Sequence, residues 1–131
     1  MKTDVEIRQD VFSFVKVSQI KEYISGEVRL IPRSAKSKVE DCVISVQDSD
    51  VAQIQDGYVN VNVYVPNMVS GGESVENVPR TKLLSAICKT ILRSFYIDGD
   101  WYHLVKQRIL PVQGKDEHVI NNKIKFHLNN E

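Results

Sequence analysis

The sequence is short of most features that announce a chemistry. No apolar run approaches the roughly 20 residues needed for a membrane-spanning helix. The opening MKTDVEIRQD places acids where a signal peptide has basic and apolar regions, so the chain is expected to stay in the cytoplasm of the cell that makes it. Cysteine is limited to Cys42 and Cys88, one in an expected strand and one in an expected helix, each among apolar neighbours. That setting predicts reduced, buried thiols acting as small hydrophobes rather than a disulfide, and nothing nearby would activate a catalytic thiol. An excess of either charge is missing too: 17 Lys and Arg balance 17 Asp and Glu. Neutrality argues against bulk attraction to nucleic acid or an anionic membrane, although local basic patches stay possible.

Catalytic and ligand-binding signatures are equally scarce. None of His103, His118 and His127 has a Cys, His or Asp at the spacing of a metal motif. Gly71-Gly72 is not followed by the Lys-Ser/Thr of a phosphate-binding loop, and no serine stands in a GxSxG elbow. Asp98-Gly99-Asp100 reads as a turn before it reads as a carboxylate pair for acid–base work. No catalytic residue, metal ligand or cofactor is predicted, and an enzyme gains no support.

What is present is architecture. In the 57–66 segment GYVNVNVYVP, Val59, Val61, Val63 and Val65 alternate with Tyr58, Asn60, Asn62 and Tyr64. Alternate side chains of a strand point to opposite faces, so this predicts a central strand with one valine face and one polar, aromatic face. Around it the 131 residues suit a single domain over 1–131 with one continuous core. Val5, Val11, Phe12 and Val15 recur near helical spacing over Asp4–Lys16, and Ser18 suits the cap of a short helical segment ending at Ser25-Gly26; one bent helix and two short ones read equally well. Strands are expected at 27–31 and 41–47, and a flexible excursion at 67–78 around Gly71-Gly72. A broad stripe from Leu83 to Phe95 predicts a second main helix from Pro79 to Tyr96. Strands at 102–112 and 118–128, joined by a hairpin loop, finish the chain. The predicted class is α+β: an antiparallel sheet of about four to five strands with two main helices on one face, in the order α-β-β-β-α-β-β.

Two surfaces stand out as contact candidates. Arg33, Lys36 and Lys38 form the densest basic run, read as a solvated loop, as a phosphate contact, or as the partner of an acidic stretch such as 47–56. The uncharged face of the central strand, Tyr58, Asn60, Asn62 and Tyr64, has the composition of a subunit interface or of a plain solvent-washed sheet. Asn67 and Met68 in the following excursion, and Trp101 at a turn, join that candidate interface.

The phrases PRSAKSKVEDCVISV and GYVNVNVYVPN, with the order of elements from Asp4 to Leu128, resemble the small tail-completion or tail terminator-like proteins of phages and prophages. The resemblance implies a non-enzymatic virion structural protein, a tail terminator or head–tail joining component that forms a homo-oligomeric ring, commonly a hexamer. Its implied partners are other phage tail or connector proteins, without specific nucleic-acid binding and without a membrane, first in the bacterial cytoplasm and then in the virion. The alternative is a cytoplasmic protein-interaction module unrelated to virions.

Overall fold

The structure is a computed structural model that describes residues 3–33, 36–46 and 56–128. In chain order it contains α1 (Asp4–Lys16), α2 (Gln19–Tyr23), β1 (Val28–Arg29), β2 (Cys42–Val46), β3 (Asp56–Pro66), β4 (Met68–Ser70), β5 (Glu73–Val75), α3 (Val78–Leu92), β6 (Ser94–Ile97), β7 (Asp100–Pro111) and β8 (Glu117–His127). Six strands form the main sheet in the order β1-β2-β3-β8-β7-β6, and β4-β5 is a sheet of its own. Every neighbouring pair is antiparallel except β1 and β2, which run parallel.

The valine segment lies inside the sheet, with β2 on one side and β8 on the other. Val59, Val61, Val63 and Val65 are each at most 1% exposed, and burying such a side chain contributes about 1.5–3 kcal/mol. They share one core with Ile7, Val11 and Val15 of α1 and Leu84, Cys88 and Leu92 of α3. The helices therefore cover the valine face; α1 lies nearest β1 and β2, α3 nearest β7 and β8. Thr3 and Glu6 form a reciprocal cap at the start of α1, and the Ser18 hydroxyl accepts from Ile20 N–H to start α2. Of the two readings the sequence left open, two separate helices form. Gly57 lies directly across from Phe126, whose ring fills the space where a Cβ would sit, 2.7 Å from Cζ.

The α+β class and the covered antiparallel sheet match the expectation, but the described residues hold eight strands and three helices rather than four or five strands and two main helices. Two local effects account for the difference. Gly71 and Gly72 have φ of +60° and +81°, so the expected flexible excursion is a tight hairpin, β4-β5. Phe95 keeps the helical period of the Leu83 stripe yet lies on β6, where its ring stacks between Phe14 (4.1 Å) and Tyr102 (5.0 Å). α3 accordingly stops at Leu92 instead of Tyr96. Asp98 and Gly99, at φ +50° and +85°, then turn β6 into β7 as a second tight hairpin rather than closing a helix.

Candidate functional site

The sheet face opposite the helices carries Tyr58, Asn60, Asn62, Tyr64 and Trp101 of the candidate interface, and one β-bulge decides its chemistry. Along β7, Trp101 and His103 point to the uncovered face, while Tyr102 and Leu104 point to the core, directly across from Phe126 and Ile124. Val105 is then skipped in the pairing: Leu104 faces Ile124, and Lys106 faces Lys123. One extra residue reverses the alternation of everything that follows. Lys106, Arg108 and Leu110 therefore join the uncovered face, and Gln107 turns inward. There Gln107 donates to Ser85 O (2.9 Å) and to Asn122 Oδ1 (2.8 Å), and Asn122 donates to Val61 O (3.0 Å). That relay satisfies a fully buried amide and ties α3 to the sheet.

The register sets the uncovered face out strand by strand. Tyr58, Asn60 and Asn62 of β3 lie opposite Lys125, Lys123 and Asn121 of β8, which lie in turn opposite His103, Lys106 and Arg108 of β7. Asn121 donates to Asn62 Oδ1 (2.6 Å) and Asn60 Oδ1 (3.3 Å), and Lys123 Nζ sits 4.2 Å above the Tyr58 ring. A shallow cleft of about 400 Å³ runs between Asn60, Asn62, Tyr64, Arg108, Asn121 and Lys123. The face is uncharged from Tyr58 to Tyr64 of β3, whereas β7 and β8 add four cations. Lys106 and Lys123 are directly opposed, an arrangement that repels in a sheet. Among the described residues of this face, Asp56 is the one carboxylate not bound by an arginine.

At the Trp101 end three rings form a stack. Trp101 lies 4.3 Å from His103 and 4.9 Å from His127, and the two imidazole Nε2 atoms are 3.2 Å apart. The indole N–H donates to Ser94 Oγ at 2.9 Å. Loss of solvent, then the neighbouring His127 and Lys125, hold the His103 pKa below its ordinary value. Sequence reading took these histidines singly. The pairing of β7 with β8, which brings His103 and His127 together, has no local signal in the chain.

Arg33 behaves unlike its loop neighbours. Its side chain is only 6% exposed; Nε donates to Asp41 Oδ2 (3.1 Å), Nη1 donates to Glu117 Oε2, and Nη2 donates to Val39 O (2.7 Å). The guanidinium also lies 4.8 Å over the Tyr64 ring. Burial alone would raise the Asp41 pKa, but donors from Glu27 N–H, the Ser37 hydroxyl and Arg33 outweigh it and hold the carboxyl below its usual value. Next door, Glu40 takes a bidentate contact from Arg80 (2.8 and 2.6 Å) and a bond from Ser25 N–H (3.1 Å). The Glu40-Asp41 pair just ahead of β2 is thus a double clasp that ties the turn between α2 and β1 to α3 and, through Arg33, to β8. Gly26 lies against it so closely that an added Cβ would come within 2.3 Å of Asp41 Oδ1.

Of the basic run, then, Arg33 is a structural group, and Lys36 and Lys38 are exposed beside a shallow cleft with Lys115 and Asn67. The acidic stretch suggested as their partner lies, over 47–55, outside the described residues. The structure brings Tyr58, Asn60, Asn62 and Trp101 onto one face, places Tyr64 beneath Arg33, and puts Asn67 and Met68 at the base of the β4-β5 hairpin. Cys42 and Cys88 are buried and free; burial pushes the Cys88 thiol up to about 12. No described helix is long and apolar enough to cross a membrane. No protein-family model matches the chain, and no curated protein sequence matches it.

Proposed function

We propose that this chain is a non-enzymatic structural subunit that assembles with copies of itself into a ring, as a tail terminator or head–tail joining component of a phage or prophage. The observation that carries the reading is the β4-β5 hairpin. A lone two-stranded hairpin is marginal in water, yet this one stands as its own sheet with Met68 43% and Val69 75% exposed. Its base is held: Asn67 N–H donates to Asp116 O (2.9 Å), Asn67 Nδ2 donates to Ser74 Oγ (3.0 Å), and His118 Nδ1 lies 2.7 Å from Asn67 Oδ1. A firmly rooted arm with an apolar flank suits a head-to-tail contact, in which two different patches of each subunit meet and rotation closes the ring. The Glu40-Asp41 pair just ahead of β2 and the order of elements support the kinship on which the virion role rests.

Size-exclusion chromatography with light scattering across a concentration series is the test. Ring-sized particles in the native chain, and monomers after Val69→Asp, are expected. A native chain that stays monomeric at high concentration overturns the reading. Flanking genes for capsid, portal and tail proteins would favour the virion role over an unrelated interaction module.

A further inference from the structure

We infer that the uncovered sheet face binds single-stranded nucleic acid, with phosphates on Lys106, Arg108, Lys123 and Lys125 and bases against the Tyr58 and Trp101 rings. The inference stands apart from ring assembly and rests on how charge is distributed. The whole chain is neutral, but that neutrality is not local. Four cations occupy adjacent positions on β7 and β8, and among the described residues Asp56 at one end is the single carboxylate on this face not tied to Arg33. None of Lys106, Arg108 and Lys125 has an acidic partner among the described residues, and Lys123 rests on a ring. The directly opposed Lys106 and Lys123 repel each other in the free protein, a repulsion that a bound anion would relieve.

The chemistry around the cations narrows the anion. An acidic protein surface would meet a patch unlike most interface centres, which are depleted in charge. A duplex hides its base faces, so it gains nothing from rings placed among the lysines. A single strand uses both, stacking bases on aromatic side chains while its backbone follows a basic groove. The carboxamides of Asn60, Asn62 and Asn121 lie in the same rows as Lys123, Lys106 and Arg108, where unstacked base edges would come. Neighbouring strands about 4.8 Å apart and alternate residues about 6.8 Å apart give the extended array that such a strand needs.

Fluorescence anisotropy with labelled dT20 and U20 oligonucleotides tests the inference on the full chain. Binding in 50 mM salt is expected, with log affinity falling against log salt at a slope near −3, about 0.7 for each of the four phosphate contacts. Lys106→Glu should weaken binding at least tenfold and flatten that slope, while raising Tm by about 1–4 °C through a new cross-strand pair with Lys123. Should that variant fold poorly, Arg108→Ser carries the same binding test at an exposed position. Trp101 is the only tryptophan, so base stacking should quench the intrinsic emission. No binding at low salt, binding indifferent to both substitutions, binding without quenching, or equal affinity for a 20-bp duplex or for polyglutamate each overturns the inference.

Discussion

The two charged regions of this sheet obey opposite rules. Where Arg33 closes over Asp41, Tyr64 and Glu117, a buried cation meets two buried carboxylates and the remaining donors find carbonyls. A few residues along the same face, Lys106 confronts Lys123 with no acid between them. In the first region Arg33 is spent on its own carboxylates and carbonyls. The second is destabilised by its own charges, and electrostatic repulsion is what a fold tolerates where something else arrives to neutralise it. A basic run in the sequence is therefore a poor guide to a basic surface: Arg33 belongs to the interior, and the effective cations come from two strands that are not charged runs at all.

Substitutions can break this contrast, and the largest effect belongs to the closed region. Arg33→Ala leaves Asp41 and Glu117 buried without a counter-charge, and urea denaturation should show a loss of about 3–5 kcal/mol. A loss below about 1 kcal/mol would mean that water enters this cluster freely. Glu40→Ala should remove about 2–3 kcal/mol, less than the first because the Arg80 side chain is 34% exposed and can turn to solvent. The same region sets the acid limb. The folded Asp41 pKa lies below its unfolded value near 3.9, so its stabilisation is complete above that value. It disappears as pH falls through the folded pKa, and Asp41→Asn should show a shallower loss in acid denaturation followed by circular dichroism.

The open region predicts changes of the other sign and smaller size. Lys106→Glu should stabilise by about 0.2–1 kcal/mol, seen as a later urea midpoint at unchanged m-value. The smallest effect sits at His103. Its folded pKa is lowered, so the unfolded state binds the proton first and stability falls as pH drops from about 6.5 toward the folded value. His103→Gln should flatten the stability curve in that window, and an unchanged slope would assign the dependence to another group.

Much of the frame was legible because it is written in local periods. The alternating valines, the helix over Asp4–Lys16 and the Ser18 cap are each decided within a few residues. The errors arose where one local period imitated another. Phe95 sits at helical spacing from Leu92 and Ile91, but the Asp98-Gly99 pair behind it is a strong hairpin signal, and that signal outranks the stripe. Gly71-Gly72 is the same case: two glycines between short polar segments make a turn as readily as a loose loop. The site was less legible than the frame, because its character depends on which strands are neighbours. The uncharged row of β3 was visible; the lysines beside it were not, since β8 and β7 follow some fifty residues later in the chain. Arg33 was misread for the converse reason. Its carboxylate Glu117 is 84 positions away.

Val105 sets which positions of β7 look outward by their numbering, without carrying any charge. It acts as a phase shift: upstream of it odd-numbered positions of β7 look outward, downstream even-numbered ones do. Deleting that single valine would place Leu104 next to Lys106, whose partners Ile124 and Lys123 are already consecutive, so the ladder would close into plain alternation with Lys106 and Arg108 still outward and Gln107 still inside. Any relative that lacks the extra residue should therefore show one unbroken period of two along this strand, with its cations still on the outward side and the register with β8 unchanged.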